Sequence, residues 1–393
     1  MREAYIVTGY RTAVGRAPRG SLRFTRTDEM AAATIKRVLA DVPDLNKDEI
    51  DDVIVGNAMP EAEQGLNIGR IISLLALDTV AVPGLTINRY CASGSESIAT
   101  AVAKIRNGMG ECIIAGGAES MSYIPMGGFK PVPAYQLVHR GHEDYYYNMG
   151  LTAEAVAQAF HVSREDQDAF AFTSHQRACK AQAENRFEGE IAPLDIAYTT
   201  LENGKKTTRS TTFTKDEGPR ADSSREALAK LRPVFAQGGT VTAGNSSQTS
   251  DGAAFTLIMS ESMVKRYELK PLARLVSYAT AGVEPRIMGI APVEAVPKAL
   301  KSAGMKLRDI ELVELNEAFA SQSLAVIRQL ELNPEITNVN GGAIALGHPL
   351  GCTGTKLTVQ LLNEMQKRGN RYGLVTMCVG TGQGAASIFE LLN

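Results

Sequence analysis

Cys91 stands in Asn88-Arg89-Tyr90-Cys91-Ala92-Ser93-Gly94-Ser95, between a strand-like apolar run (Leu85, Ile87) and a helical pattern that puts Ile98, Val102 and Ile105 on one face. A cysteine at such a junction meets free backbone N–H groups and the positive end of the helix dipole. These would stabilise a thiolate, lower the thiol pKa and create a nucleophile. A lone cysteine in a long chain is more often a small core hydrophobe. The strand, the small residues and the glycine before a helix favour the nucleophile here.

His348 lies in Gly341-Gly342-Ala343-Ile344-Ala345-Leu346-Gly347-His348-Pro349-Leu350-Gly351, framed by glycines and a proline. A histidine on a core helix face needs no such frame. An imidazole held on this turn could deprotonate a thiol and then donate a hydrogen bond to a developing oxyanion. Cys378 ends an apolar run before Val379-Gly380-Thr381-Gly382-Gln383-Gly384. Those glycines do not make a dinucleotide site: the spacing is Gly-x-Gly-x-Gly, and nine residues after Gly384 are too few for the helix and strand such a site requires. They let backbone amides approach a substrate, with Cys378 able to exchange a proton. Asn316, in Asn316-Glu317-Ala318-Phe319-Ala320, suits holding a water or a carbonyl; a turn-capping asparagine is an equal alternative on this residue alone.

The elements that must position these residues come in two copies. Glu49-Ile50-Asp51-Asp52-Val53-Ile54-Val55-Gly56-Asn57-Ala58 is echoed by Asp309-Ile310-Glu311-Leu312-Val313-Glu314-Leu315-Asn316-Glu317-Ala318. After the first copy come strand, Asn88, turn, helix, Gly108 and the strand Cys112-Ile113-Ile114-Ala115. After the second come Val339, Asn340, a glycine-rich turn, a helix bearing Leu357, Leu361 and Met365, Gly369 and the strand Leu374–Cys378. The His348 turn thereby corresponds to the Cys91 turn. Repeated strand–helix–strand units imply two α/β halves, each with a mostly parallel sheet.

The expected division is residues 1–119 with 245–270 for the first half, 271–393 for the second, and an inserted loop domain over 120–244. That insertion is rich in Pro, Gly, Tyr and Ser/Thr, with a helical stretch around Arg164 to Phe187. Within it, residues 205–232 hold eight basic and four acidic side chains, a solvated face unless a phosphorylated ligand gives it a use.

With 393 residues, 44% hydrophobic and 21% charged, the composition is that of a globular protein, and a net charge of −2 gives no argument for nucleic acid or an anionic membrane. No apolar run approaches the about 20 residues of a membrane span, and the N-terminus enters a strand pattern without a signal-peptide core. Five scattered cysteines make no disulfide framework and five histidines no metal-ligand spacing. A cytoplasmic protein without metal is expected.

The blocks Asn-x-x-Cys-x-Ser-Gly at 88–94, Gly-Thr-Val-Thr-Ala-Gly-Asn-Ser-Ser at 239–247, Asn-Glu-Ala-Phe-Ala at 316–320, Gly-Gly-Ala-Ile-Ala-Leu-Gly-His-Pro at 341–349 and Cys-x-Gly-x-Gly at 378–382 resemble the thiolases, in family order and over essentially the whole chain. The resemblance implies the α/β thiolase fold: two similar halves in five layers, α-β-α-β-α, with a loop domain over the coenzyme A site. It implies a homodimer or homotetramer acting on acyl-CoA, with coenzyme A as substrate and no permanently bound cofactor. Cys91 would carry the acyl group, His348 would activate it, and Cys378 would move the proton at the α-carbon of acetyl-CoA. One oxyanion hole would use His348 and a water on Asn316, the other the amides of Cys91 and Gly380. Coenzyme A and substrate contacts would fall on Arg220, Ser247, Ala243, Phe235, Met149, Ala318, Phe319 and Met288.

Asn148 stands where the biosynthetic acetoacetyl-CoA branch usually has histidine. Arg89 and Ser246-Ser247-Gln248 look like the degradative, fatty-acid-oxidising branch. The resemblance therefore points to 3-ketoacyl-CoA cleavage, with acetoacetyl-CoA synthesis as the nearest alternative and a non-catalytic coenzyme A binder as a distant one.

Overall fold

A computed structural model of the chain describes residues 2–202 and 204–392. The first half runs β1 (Ala4–Arg11), α1 (Thr27–Leu39), β2 (Asp52–Gly56), α2 (Ile68–Leu77), β3 (Gly84–Ile87), α3 (Ser93–Arg106) and β4 (Cys112–Ser120). Residues 121–249 then leave the sheet, carrying α4 (Met149–Ala159), α5 (Arg164–Ala183) and a hairpin of β5 (Leu194–Glu202) and β6 (Lys205–Phe213). The chain re-enters the first half as β7 (Ser250–Ser260). The second half is β8 (Ala273–Gly282), α6 (Pro292–Ala303), β9 (Leu312–Leu315), α7 (Ala320–Leu330), α8 (Leu350–Arg368), β10 (Tyr372–Val379) and β11 (Gln383–Leu391). Among the described residues, no helix is long and apolar enough to cross a membrane.

The strands lie in the order β3-β2-β4-β7-β1 in the first half and β9-β10-β11-β8 in the second, joined where Ile6 of β1 meets Ala273 of β8. Alternation sorts their side chains into separate cores. Val53 and Val55 face α1 and α2, whereas Ile54 faces inward; Val313 and Leu315 face α6 and α7, whereas Leu312 faces inward. The inward core contains Ile98, Val102 and Ile105 of α3 and Leu357, Leu361 and Met365 of α8. The result is five layers: α1/α2, a sheet, α3/α8, a sheet, α6/α7. Strands buried on both faces must be apolar throughout, hence the unbroken hydrophobic runs. Each large side chain in these cores contributes roughly 1.5–3 kcal/mol.

The sheets are mixed rather than mostly parallel. β2 pairs in parallel with β3 and β4, and β9 with β10. The remaining strands run antiparallel because β7 returns from the insertion against β4, and β11 returns from β10 through the turn at Gly380-Thr381-Gly382.

The repeat also fails at one place. The strand expected at Val339, the counterpart of β3, is reduced to an isolated bridge between Thr337 and Val313. At Asn338 the backbone turns left-handed (φ +48°). The Asn338 side chain takes over the pairing: its Oδ1 accepts from Leu315 N and its Nδ2 donates to Leu315 O, each at 2.8 Å. Arg177 of α5 covers this edge, donating to the carbonyls of Thr337 (2.8 Å), Asn338 (3.3 Å) and Pro334 (3.1 Å).

α3 and α8 cross through two glycines in reciprocal contact. A Cβ on Gly94 would lie 2.7 Å from Thr355 N, and one on Gly354 would lie 2.2 Å from Ser95 N. Both distances are to backbone, so a methyl can enter only by separating the helices. Gly354→Ala is expected to destabilise the fold by about 1–3 kcal/mol and to cost more activity than stability, because it parts the turns bearing Cys91 and His348. Thermal unfolding and turnover measured on one preparation check this; an unchanged melting temperature would show that the crossing is not tight.

Candidate active site

The residue before Cys91 is strained. Tyr90 adopts φ +44°, and two side chains hold it there: Asn88 Oδ1 accepts from Tyr90 N (2.8 Å), and Ser93 Oγ donates to Tyr90 O (2.7 Å) while accepting from Arg89 N (2.9 Å). The turn presents Cys91 just ahead of α3, buried beside Ala58, Met121 and Leu350. Two amides, its own N–H and that of Gly380, are directed at the Cys91 sulfur.

His348 is buried on the turn before α8. Thr353 Oγ1 lies 2.5 Å from its Nδ1 and donates its own proton to Pro349 O (2.8 Å). With that hydroxyl proton spent, Nδ1 must be the donor, so neutral His348 leaves Nε2 as a proton acceptor. Asn316 Nδ2 stands 3.3 Å from Nε2, and Asn316 Oδ1 is buried with no partner among the described residues.

Cys91 and His348 line one cavity of about 220 Å³, together with Met149, Phe235, Ser247, Met288, Ala318 and Phe319. Cys378 is fully buried beside that lining, packed with Met149, Met288, Ala318 and Phe319 and near enough to Cys91 for the two thiols to interact electrostatically. Gly380 faces Tyr90 and Met149. The blocks at 239–247 and 316–320 meet directly: Ser247 N donates to Ala318 O and Ala320 N to Asn245 O, both at 2.9 Å. Arg220 and Ala243 are not brought to the cavity; both are exposed and outside its lining. Lys205, Lys206 and Arg209 stand on the β5–β6 hairpin, so the basic stretch does not converge on the cavity. It does reach the lining at Gly218, whose carbonyl accepts from Gln248 Nε2 at 3.2 Å. Among the described residues, no group of three or more His, Cys, Asp or Glu could hold a metal.

Comparison with known proteins decides the family. Residues 4–262 match the thiolase N-terminal domain and residues 269–391 the thiolase C-terminal domain. The chain belongs to the thiolase family. It is 53% identical over 392 residues to the 3-ketoacyl-CoA thiolase of Bacillus subtilis, covering 100% of both chains. With the human peroxisomal 3-ketoacyl-CoA thiolase it shares 44% over 389 residues, 99% of this chain and 91% of that one. The crystal structure of the Bacillus anthracis acetyl-CoA acetyltransferase superposes with a TM-score of 0.87 at 38% identity, covering 100% of this chain and 99% of that one.

The electrostatics of this thiolase reverse one expectation. A thiolate stabilised by the helix end was expected at Cys91. Burial instead pushes its thiol up to about 12; the Gly380 amide and its own amide pull the other way, and the Glu119 charge adds to the rise. Burial, reinforced by the Lys356 charge, lowers His348 to about 3. Cys378 is also raised, by burial and then by Cys91. The resting site is therefore thiol and neutral imidazole.

Two residues escaped the sequence reading. Thr353 sets the His348 tautomer, and no motif marks a threonine five residues past a histidine. Glu119 ends the buried strand β4 and accepts from Ala58 N (2.7 Å), Gln64 Nε2 (2.8 Å) and Gly351 N (2.9 Å), tying the start of α8 to the loop after β2. A carboxylate at the end of an apolar run was the only available signal.

The raised thiol pKa fixes a pH dependence for the unliganded thiolase. Below its pKa the thiolate fraction grows tenfold per pH unit, so iodoacetamide alkylation of Cys91 should keep climbing to pH 9 without a plateau. Rates levelling off near pH 6–7 would show a preformed thiolate–imidazolium pair. His348, depressed below its unfolded value, is neutral in both states above about 6.5. Its contribution to stability is lost only as pH falls from there toward 3.

Proposed function

We propose that this thiolase is an acyltransferase that cleaves 3-ketoacyl-CoA with coenzyme A, giving acetyl-CoA and an acyl-CoA two carbons shorter. The observation that carries the chemistry is the pair of amides, Cys91 and Gly380, aimed at the sulfur of a thiol that shares its cavity with a neutral imidazole. Full-length likeness to 3-ketoacyl-CoA thiolases supports the substrate.

Cys91 Sγ attacks the 3-keto carbon as its proton passes to His348 Nε2. The two amides receive the oxygen of the tetrahedral adduct. Collapse of the adduct breaks the bond between carbons 2 and 3, leaving acyl-Cys91 and the enolate of acetyl-CoA. Protonated Nε2 now donates to the enolate oxygen, with a water held by Asn316 Oδ1 as the second donor. Cys378 gives its proton to carbon 2, releasing acetyl-CoA. Incoming coenzyme A gives its thiol proton to the Cys378 thiolate as its sulfur attacks the thioester. Collapse of this second adduct breaks the bond to Cys91 Sγ, which takes back the proton held on His348 Nε2. Because the resting Cys–His pair is uncharged, charge develops only when a carbonyl is there to accept it.

Arg220, Ser247 and Ala243 belong in this reading to the path of coenzyme A, with Arg220 reaching phosphate outside the cavity. No resident cofactor is needed. A cytoplasmic homodimer or homotetramer fits a chain whose edge strand β3 is flanked by exposed Ile71, Leu74 and Leu75 of α2. The second reading is acetoacetyl-CoA synthesis from two acetyl-CoA, favoured by the likeness to an acetyl-CoA acetyltransferase structure.

Chain length separates the two. Specificity constants should hold or rise from four-carbon to eight-carbon 3-ketoacyl-CoA; a steep fall beyond four carbons favours the second reading. The cysteine roles separate in half-reactions. Acetyl-CoA should place one acetyl group on Cys91, located by peptide mass spectrometry. Cys378→Ala should still acetylate but lose exchange of the acetyl-CoA methyl hydrogens with deuterated water, by about 10²–10⁴-fold. Normal exchange in a folded Cys378→Ala protein would remove Cys378 from the mechanism.

A further inference from the structure

The two amides directed at the Cys91 sulfur come from separate turns, one before α3 and one between β10 and β11. Asn88 and Ser93 hold the first through the backbone of Arg89 and Tyr90. In the second, Thr381 and Gly382 are left-handed (φ +62° and +80°), and Val283 N donates to Gly382 O at 2.7 Å. A Cβ on Gly382 would lie 2.3 Å from Val283 O, so this turn requires glycine there. These contacts fix the shape of each turn, not the gap between them.

One side chain spans that gap. Arg89 Nη1 donates to Gln383 Oε1 at 3.1 Å. Apart from the Gly380 amide at the sulfur, it is the only hydrogen bond among the described residues that runs from residues 88–93 to residues 379–383. Gln383 is tied in turn to Gly380. It opens β11 opposite Val379, and its Nε2 donates to Gly380 O and to Thr381 Oγ1, each at 3.4 Å.

The guanidinium is itself anchored. Its Nε donates to Glu96 Oε2 in the first turn of α3, and Tyr278 Oη of β8 donates to the same oxygen at 2.7 Å. Burial, and then the Glu96 charge, push the Tyr278 hydroxyl above its ordinary pKa, so it remains a donor. A planar fork with one arm fixed aims the other in a set direction, which a lysine ammonium on a flexible stem cannot reproduce. The Arg89 and Glu96 side chains are 31% and 24% exposed. Such access to water leaves an ion pair little to contribute to stability. Its place, spanning the two amide-bearing turns, gives it another use.

We infer that Arg89 and Gln383 are positioning residues for the acyl-transfer step: the guanidinium, fixed on Glu96, holds Gln383 and thereby sets where the Gly380 amide stands relative to that of Cys91. The inference rests on the proposed mechanism and adds which side chains keep its amide pair in register. Neither residue touches the reacting atoms.

The test compares Gln383→Ala, Gln383→Glu and Arg89→Lys with the wild type in two half-reactions. Acyl transfer from acetyl-CoA to Cys91 puts the adduct oxygen on the two amides. Methyl exchange with deuterated water, followed on enzyme already acetylated, puts the enolate oxygen on His348 and the Asn316 water. Gln383→Ala should slow Cys91 acetylation by about 10²-fold, the cost of a misplacement of about 1 Å, and leave exchange unchanged. With carbon-13 at the acetyl carbonyl, the infrared band of acetyl-Cys91 should rise in frequency as the Gly380 hydrogen bond is lost. Arg89→Lys should do the same from the other end. Gln383→Glu, which still offers the guanidinium an acceptor, should restore most of the rate. Wild-type acetylation or an unmoved carbonyl band in folded Gln383→Ala or Arg89→Lys overturns the inference. So do equal losses in both half-reactions, the mark of a general disruption, and a Gln383→Glu protein as slow as Gln383→Ala. A wild type that places no acetyl group on Cys91 removes the proposed mechanism, and this role of Arg89 and Gln383 with it.

Discussion

The crossing of α3 and α8 through Gly94 and Gly354 is the contact on which the rest of the molecule depends. It brings together the N-terminal ends of two helices from opposite halves, and those ends carry the Cys91 and His348 turns. Neither half contains both groups. The reciprocal geometry, each glycine against the backbone one residue beyond the other, is what two copies of one strand–helix–strand unit produce when packed face to face. Everything outside this crossing, from the sheets to the outer helices, buries it.

That burial decides the chemistry. A helix N-terminus stabilises a nearby anion by about 0.3–1 kcal/mol. Full desolvation shifts a buried group by up to about 3–5 pKa units, and each unit is worth about 1.36 kcal/mol. At Cys91 the second effect wins, and the thiol stays protonated despite two amides directed at it. His348 is driven the same way, toward its uncharged form. In the proposed mechanism such a pair is unreactive until a substrate supplies a carbonyl oxygen for the amides. Water and adventitious electrophiles would meet a thiol, and the acyl donor a nucleophile made on demand.

Much of this was legible in the sequence because it is local. The turn residues around Cys91, the glycine frame of His348 and the spacing of Ile98, Val102 and Ile105 are written within a few positions of one another. The duplication was legible because order survives where identity does not. What depended on distant packing was hidden. Nothing near Cys91 announces the five layers that desolvate it, so the local sequence points to a lowered pKa where the fold raises it. Thr353 matters only because Pro349 O consumes its proton, a relation of three dimensions. Arg220 is marked only by likeness to the family, and the fold leaves it in solvent outside the cavity lining. The missing strand at Val339 was invisible because an asparagine side chain can do the hydrogen bonding of a backbone.

That substitution at Asn338 bears on how copies of the chain can associate. A duplicated half that kept both edge strands would offer two like edges on one molecule, and edges of that kind can add copies end to end into an open fibre. Here the second edge is taken by the Asn338 amide and sealed by the Arg177 guanidinium. Of the two edges of the large sheet, β3 alone is left for strand pairing among the described residues, and between copies of the chain it can pair through that sheet only with its twin. Growth by that route stops at two. In the proposed homodimer, a small irregularity in the repeat thus acts as a chain terminator, confining pairing through this sheet to a closed pair.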